Sequence, residues 1–189
     1  RTLLGTSITH VEGEIVPQFL VELDLGFSLP LKNSSIWLRN AVGAADGDIL
    51  DPFANFYFGG FGNNYLDRGS VKRYREFYAM PGFELNEIGG KNFAKTMLEW
   101  NLPPYRFERA GHPGFYFTWA RTSLFAKHLT TNLDDSAIRR EVQSVGLQID
   151  FRITILSRMN MTLSFGYARG FGDNLVEDDD EFMASLKVL

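Results

Sequence analysis

The sequence predicts an all-β chain: an antiparallel β-barrel of the kind that crosses a membrane. Three observations lead there. Long segments alternate apolar and polar residues with period two, and their connections are alternately short and long. No stretch reads as a helix, and none approaches the roughly 18 to 20 apolar residues that a membrane helix requires.

About eight strands can be placed in order. The first is 4–12. In 18–29, "QFLVELDLGFSL", Phe19, Val21, Leu23, Leu25, Phe27 and Leu29 face one side. Gln18, Glu22, Asp24 and Ser28 lie opposite, and only Leu20 breaks step. The tight turn "LKNSS" leads into 35–46, and 47–90 is the longest connection. In 92–102, Ala94, Thr96, Leu98, Trp100 and Leu102 oppose Lys95, Glu99 and Asn101. "PPYRFERAGHPG" is expected as a turn before the strand 113–128, and 129–140 as a longer loop after it.

The clearest strand is 144–155, "SVGLQIDFRITI". Val145, Leu147, Ile149, Phe151, Ile153 and Ile155 alternate without a break against Ser144, Gly146, Gln148, Asp150, Arg152 and Thr154. The turn "LSRMN" joins it to 161–171, with Leu163, Phe165 and Tyr167 on one face. After the loop 172–180 comes 181–189, with Phe182, Ala184, Leu186 and Val188 on one face. Short turns at one end and long loops at the other are the pattern of an outer-membrane barrel.

A soluble antiparallel barrel that binds a ligand would also alternate. These strands, however, exceed the usual five or six residues, and their polar faces carry charges at mid-strand, as a wet lumen permits. Aromatic residues gather near strand ends (Trp37, Trp100, Tyr105, Phe115, Tyr116), where a membrane-interface girdle would sit. Val145, Leu147, Ile149, Phe151 and Ile153 are therefore expected to face lipid, with outer-membrane lipid and lipopolysaccharide as partners.

Composition removes other classes. The 189 residues carry a net charge of -4, which offers no field for nucleic acid, and the absence of cysteine rules out disulfides and thiolate chemistry. His10, His112 and His128 lack metal-ligand spacing, and Asp46, Asp48 and Asp51 lack the spacing of a calcium loop. The acidic run "VEDDDE", 176–181, reads as a solvated loop able to meet divalent cations near lipopolysaccharide. "GGFG" is not a phosphate loop, and no nucleophile–base pair can be nominated. No enzyme, cofactor or metal is expected.

Val71-Lys72-Arg73-Tyr74 resembles the Val-Arg-Gly-Phe/Tyr signature of the BamA/TamA-like family of bacterial surface antigens. The glycine-aromatic run "FYFGGFG" before it and "GGKNFAKTMLEWNLPP" after it are similar to that family's pattern, as is the order of five strands after the loop. Lys72 stands in place of the signature arginine, Arg73 in place of its glycine, Ala120 where an aspartate is frequent, and Leu189 where an aromatic residue is usual. The resemblance spans nearly the whole chain.

It implies a bacterial outer-membrane barrel domain over 1–189, the carboxy-terminal part of a barrel of about sixteen strands. It also implies that the loop 47–90 folds into the lumen, with Lys72, Arg73 and Tyr74 set against Glu99. Arg75, in "YREF", offers a second register. The implied role is insertion of barrel proteins or translocation of polypeptide, with periplasmic assembly partners. The alternative is an anchor or export pore for a separate amino-terminal domain, such as a patatin-like lipase. The opening "RTLLGTS" reads as that of a processed or truncated chain. Because an unpaired strand edge cannot stand in hydrocarbon, the missing wall is expected from upstream sequence or a second copy.

Overall fold

The structure, a computed structural model, describes residues 2–11, 14–47, 52–62, 71–112, 114–156, 158–172 and 180–188. Asp48, Asp51 and residues 176–179 of the acidic run lie outside this set. The described part is all-β. β1 (Thr2–Val11), β2 (Glu14–Ser28) and β3 (Ser35–Ala45) open the main sheet. The long connection contains a small ribbon, β4 (Phe56–Phe58) paired with β5 (Ile88–Gly90). The main sheet resumes with β6 (Asn92–Asn101), β7 (Tyr105–His112), β8 (Phe115–Thr131), β9 (Arg140–Ile155), β10 (Met159–Gly172) and β11 (Asp180–Val188).

Every pairing is antiparallel, in the order β1-β2-β3-β6-β8-β9-β10-β11, with β7 also on β8. Among the described residues β1 and β11 pair on one side only, so the sheet is open.

The segment expected as a turn at 103–114 is mostly strand. β6 pairs with Ser123–Thr131 of β8, and β7 continues along the same neighbour at Phe115–Ala120. Residues 92–112 thus follow one path, interrupted where Pro103 and Pro104 lack the N–H that a ladder needs and again by a register shift between Arg106 and Ala110. Leu102, just before them, still donates to the Thr122 carbonyl at 3.0 Å.

Period two gives the sheet two unlike faces. The outer face exposes Phe19, Val21, Leu25, Leu98, Val145 and Phe182. A row of ring contacts crosses it from β7 to β11: Phe107 to Phe117, Phe117 to Phe151, Phe151 to Phe165 and Phe165 to Phe182, with centroids 5.9 to 6.4 Å apart. Of the residues expected to face lipid, Val145 is 47% exposed, and Leu147, Ile149 and Phe151 are partly exposed. Ile153 departs from the expectation, being only 4% exposed. It pairs with Phe117 beside a register shift in β8, and a bulge of this kind bends the strand locally.

The inner face is covered by the loop. Phe58, Met80, Phe83 and Ile88 of the loop pack on Phe93, Leu129 and Val142 of the wall. Phe61 and Tyr74 pack on Met97, Phe125 and Ala168. The inward fold of the loop is therefore driven by apolar burial as well as by charge.

Candidate functional site

Glu99 is the centre of the inner wall. It sits on β6 with its side chain fully buried. Beside it on the same face are Asn101 of β6, Ser123 of β8 and Arg39 of β3, brought together by the registers Arg39↔Met97 and Asn101↔Ser123.

The loop meets this group through a single 3-10 turn, Arg73–Arg75. Three residues per turn place positions 72 and 75 on one side. Arg75 grips Glu99 with a guanidinium fork: Nε lies 2.9 Å from Oε2, and Nη2 reaches Oε1. Tyr74 donates its hydroxyl to Oε1 at 3.1 Å and stacks on Phe125 at 4.4 Å. Lys72 Nζ lies 3.6 Å from Oε1 and donates to Asn101 Oδ1 at 2.7 Å and to Ser123 Oγ. From the wall, Arg39 Nε reaches Oε2 at 3.3 Å, and Arg39 also pairs with Asp24.

One buried carboxylate thus holds three cations, two of them from the loop. Burial pushes the Lys72 ammonium down to about 8, and neighbouring Arg75 adds to this against the opposing pull of Glu99 and Asp150.

The structure brings Lys72 and Tyr74 to Glu99 and places Arg73 elsewhere. The 3-10 turn directs it away from positions 72 and 75. It lies against Gly62 and makes no ion pair with Glu99 among the described residues. The guanidinium that the loop brings to Glu99 is that of Arg75, the second register. Ala120 lies opposite Phe151 in register, on the face away from the loop.

Arg39, Asn101 and Ser123 were not singled out from the sequence, although Asn101 shares the polar alternation of Glu99. Below the cluster an open-sided cavity of about 740 Å³ is lined by Glu22, Asp24, Trp37, Arg39, Arg75 and Arg121, among others. Among the described residues no group of acidic or histidine side chains is placed to hold a metal. His112 accepts the Gly114 N–H and His128 contacts Thr130, both local bonds.

No family model, curated protein or solved structure matches this chain.

Proposed function

We propose that the chain is wall and plug of a bacterial outer-membrane β-barrel of the BamA-like kind, acting in barrel-protein insertion or polypeptide translocation. One observation carries this. The sheet keeps its mid-strand charges, Asp24, Arg39, Lys95, Glu99, Lys127 and Asp150 among them, on the face toward the loop and turns an apolar, aromatic-crossed face outward, with the Arg169–Asp180 pair near one end of it. Such a division is costly in water, where a large exposed apolar patch invites association, and favourable where lipid lies outside and water within. The loop's position supports the plug role: Arg75, Tyr74 and Lys72 converge on Glu99, which matches an acidic wall position implied by the resemblance.

The test is facing. Single cysteines at Gln148 and Ile149 in the reconstituted protein are exposed to a lipid-phase labelling reagent. Ile149 is expected to label and Gln148 to stay protected. Equal labelling ends the membrane-barrel proposal.

A further inference from the structure

The wall holds different parts of the loop in different ways. Around Glu99 it meets side chains. From Tyr74 to Gly82 its polar groups meet main chain.

Lys95 Nζ donates to the carbonyls of Phe77 at 2.6 Å and Glu76 at 3.3 Å, and also to that of Ala79. Lys127 Nζ donates to Tyr74 O at 2.6 Å and shares Ala79 O at 2.7 Å. Ser144 Oγ donates to Pro81 O. On the far side, the Glu181 carboxylate accepts the N–H groups of Phe61 and Gly82, both at 3.0 Å. Both lysines are buried, and among the described residues neither makes an ion pair with a carboxylate. Loop carbonyls take the place of counter-ions.

The floor between these groups is bare. On β10, Gly170 lies so near the loop that a Cβ there would stand 2.3 Å from the Gly82 carbonyl. A Cβ at Gly166 would stand 2.6 Å from the Phe61 ring.

Carbonyls and N–H groups are common to every polypeptide, so a surface that binds them gains affinity from any main chain, while the buried Met80 and the close approach at Gly82 add a demand on sequence. We propose that this groove is a binding site for a turn-rich polypeptide segment, and that residues 74–82, a 3-10 turn followed by further turns, occupy it as an internal stand-in for a client chain. Polypeptide as the ligand rests on the insertion or translocation role proposed above. The loop then makes the site autoinhibited, because the apparent affinity for a client falls with the fraction of time the groove is free.

The test uses the full chain and a fluorescent peptide of residues 76–83, with two controls. One is a scrambled peptide that keeps Met-Pro-Gly in place. The other carries ester bonds after Phe77 and Ala79, which weaken those carbonyls as acceptors. Gly82→Ala opens the groove, because Gly82 has φ +87° and its new Cβ would lie 2.4 Å from the Gly170 nitrogen.

Gly82→Ala is expected to bind the peptide at least about tenfold more tightly than the parent. The scrambled peptide should bind within about threefold of the native one, and the ester peptide about tenfold more weakly. Adding Lys95→Met and Lys127→Met should abolish binding. Binding of the native peptide but not the scrambled one overturns the proposal, as does binding that survives loss of both lysines.

If Gly82→Ala does not fold, hydrogen exchange on the parent protein decides. Saturating peptide should speed exchange at the Phe61 and Gly82 amides, and no change refutes the groove. Vesicle insertion is measured on the same samples. A chain that inserts without binding peptide refutes the groove alone, and one that does not insert refutes the membrane role.

Discussion

Replacing Glu99 by glutamine preserves shape and removes the one charge on which the loop converges. Glu99 is fully buried and receives Arg75, Tyr74 and Arg39 within hydrogen-bonding distance, with Lys72 at 3.6 Å. Removing one partner of a buried ion pair costs about 3–5 kcal/mol, because the other charge is left without compensation. Asp24 retains Arg39, and Arg75 keeps 30% of its side chain in solvent, so the lower end, about 3 kcal/mol, applies. That amounts to roughly a hundredfold change in the ratio of seated to released loop.

A protease that cuts after aromatic residues reads this ratio at Phe77 and Tyr78, whose cleavage follows the released population when reclosing is fast. Glu99→Gln is expected to be cut there about a hundredfold faster than the parent, with the strand signal unchanged. Combined with Arg75→Met, the loss should be well short of additive, since both changes remove the same pair. Cleavage within about threefold of the parent, or strict additivity, refutes the role given to Glu99.

Arg73→Ala should change loop release by no more than about 0.5 kcal/mol, while Arg75→Ala approaches the Glu99→Gln effect; equal losses at the two positions would contradict the turn geometry. Lys72 has a folded pKa of about 8 against an ordinary 10.5, so between these values the released loop binds more protons than the seated one. The penalty of seating a charged Lys72 is present below pH 8 and is relieved as pH rises through that window. Loop cleavage, normalised to an unstructured substrate at each pH, should therefore slow from pH 7.5 to 10, and Lys72→Met should flatten the slope. A slope unchanged by that substitution removes Lys72 as its source. In detergent, this 189-residue chain alone is expected to form a particle larger than one 21.5 kDa copy; a stable, closed monomer of that mass would show that these strands suffice.

The strands were legible wherever one face is uniformly apolar, as in 144–155, because period two has no competing explanation over twelve residues. β7 was hidden by its own punctuation: Pro103, Pro104 and Gly111 signal a turn, yet β8 supplies a continuous neighbour that the local sequence does not reveal. Glu99 and Lys72 could be nominated from alternation and resemblance. The choice of Arg75 over Arg73 could not, since it depends on a single turn being 3-10. Phe93 and Met97, apolar residues on an otherwise polar face of β6, were the available sign that the loop packs there. Lys95 and Lys127 left no such sign, because their partners are carbonyls that every residue carries.

The open sheet also carries a parity. Its path from β1 to β11 holds eight positions joined by antiparallel pairings, so the two free edges run in opposite directions. Any further set of antiparallel strands bridging β11 to β1 must alternate and still end opposed to β1, which only an even number can do. Direct closure satisfies this, as do two copies joined edge to edge or an additional wall with an even number of strands. A single extra strand, or any odd number, would force a parallel seam. An assembly closed by antiparallel seams throughout would therefore hold an even number of strands.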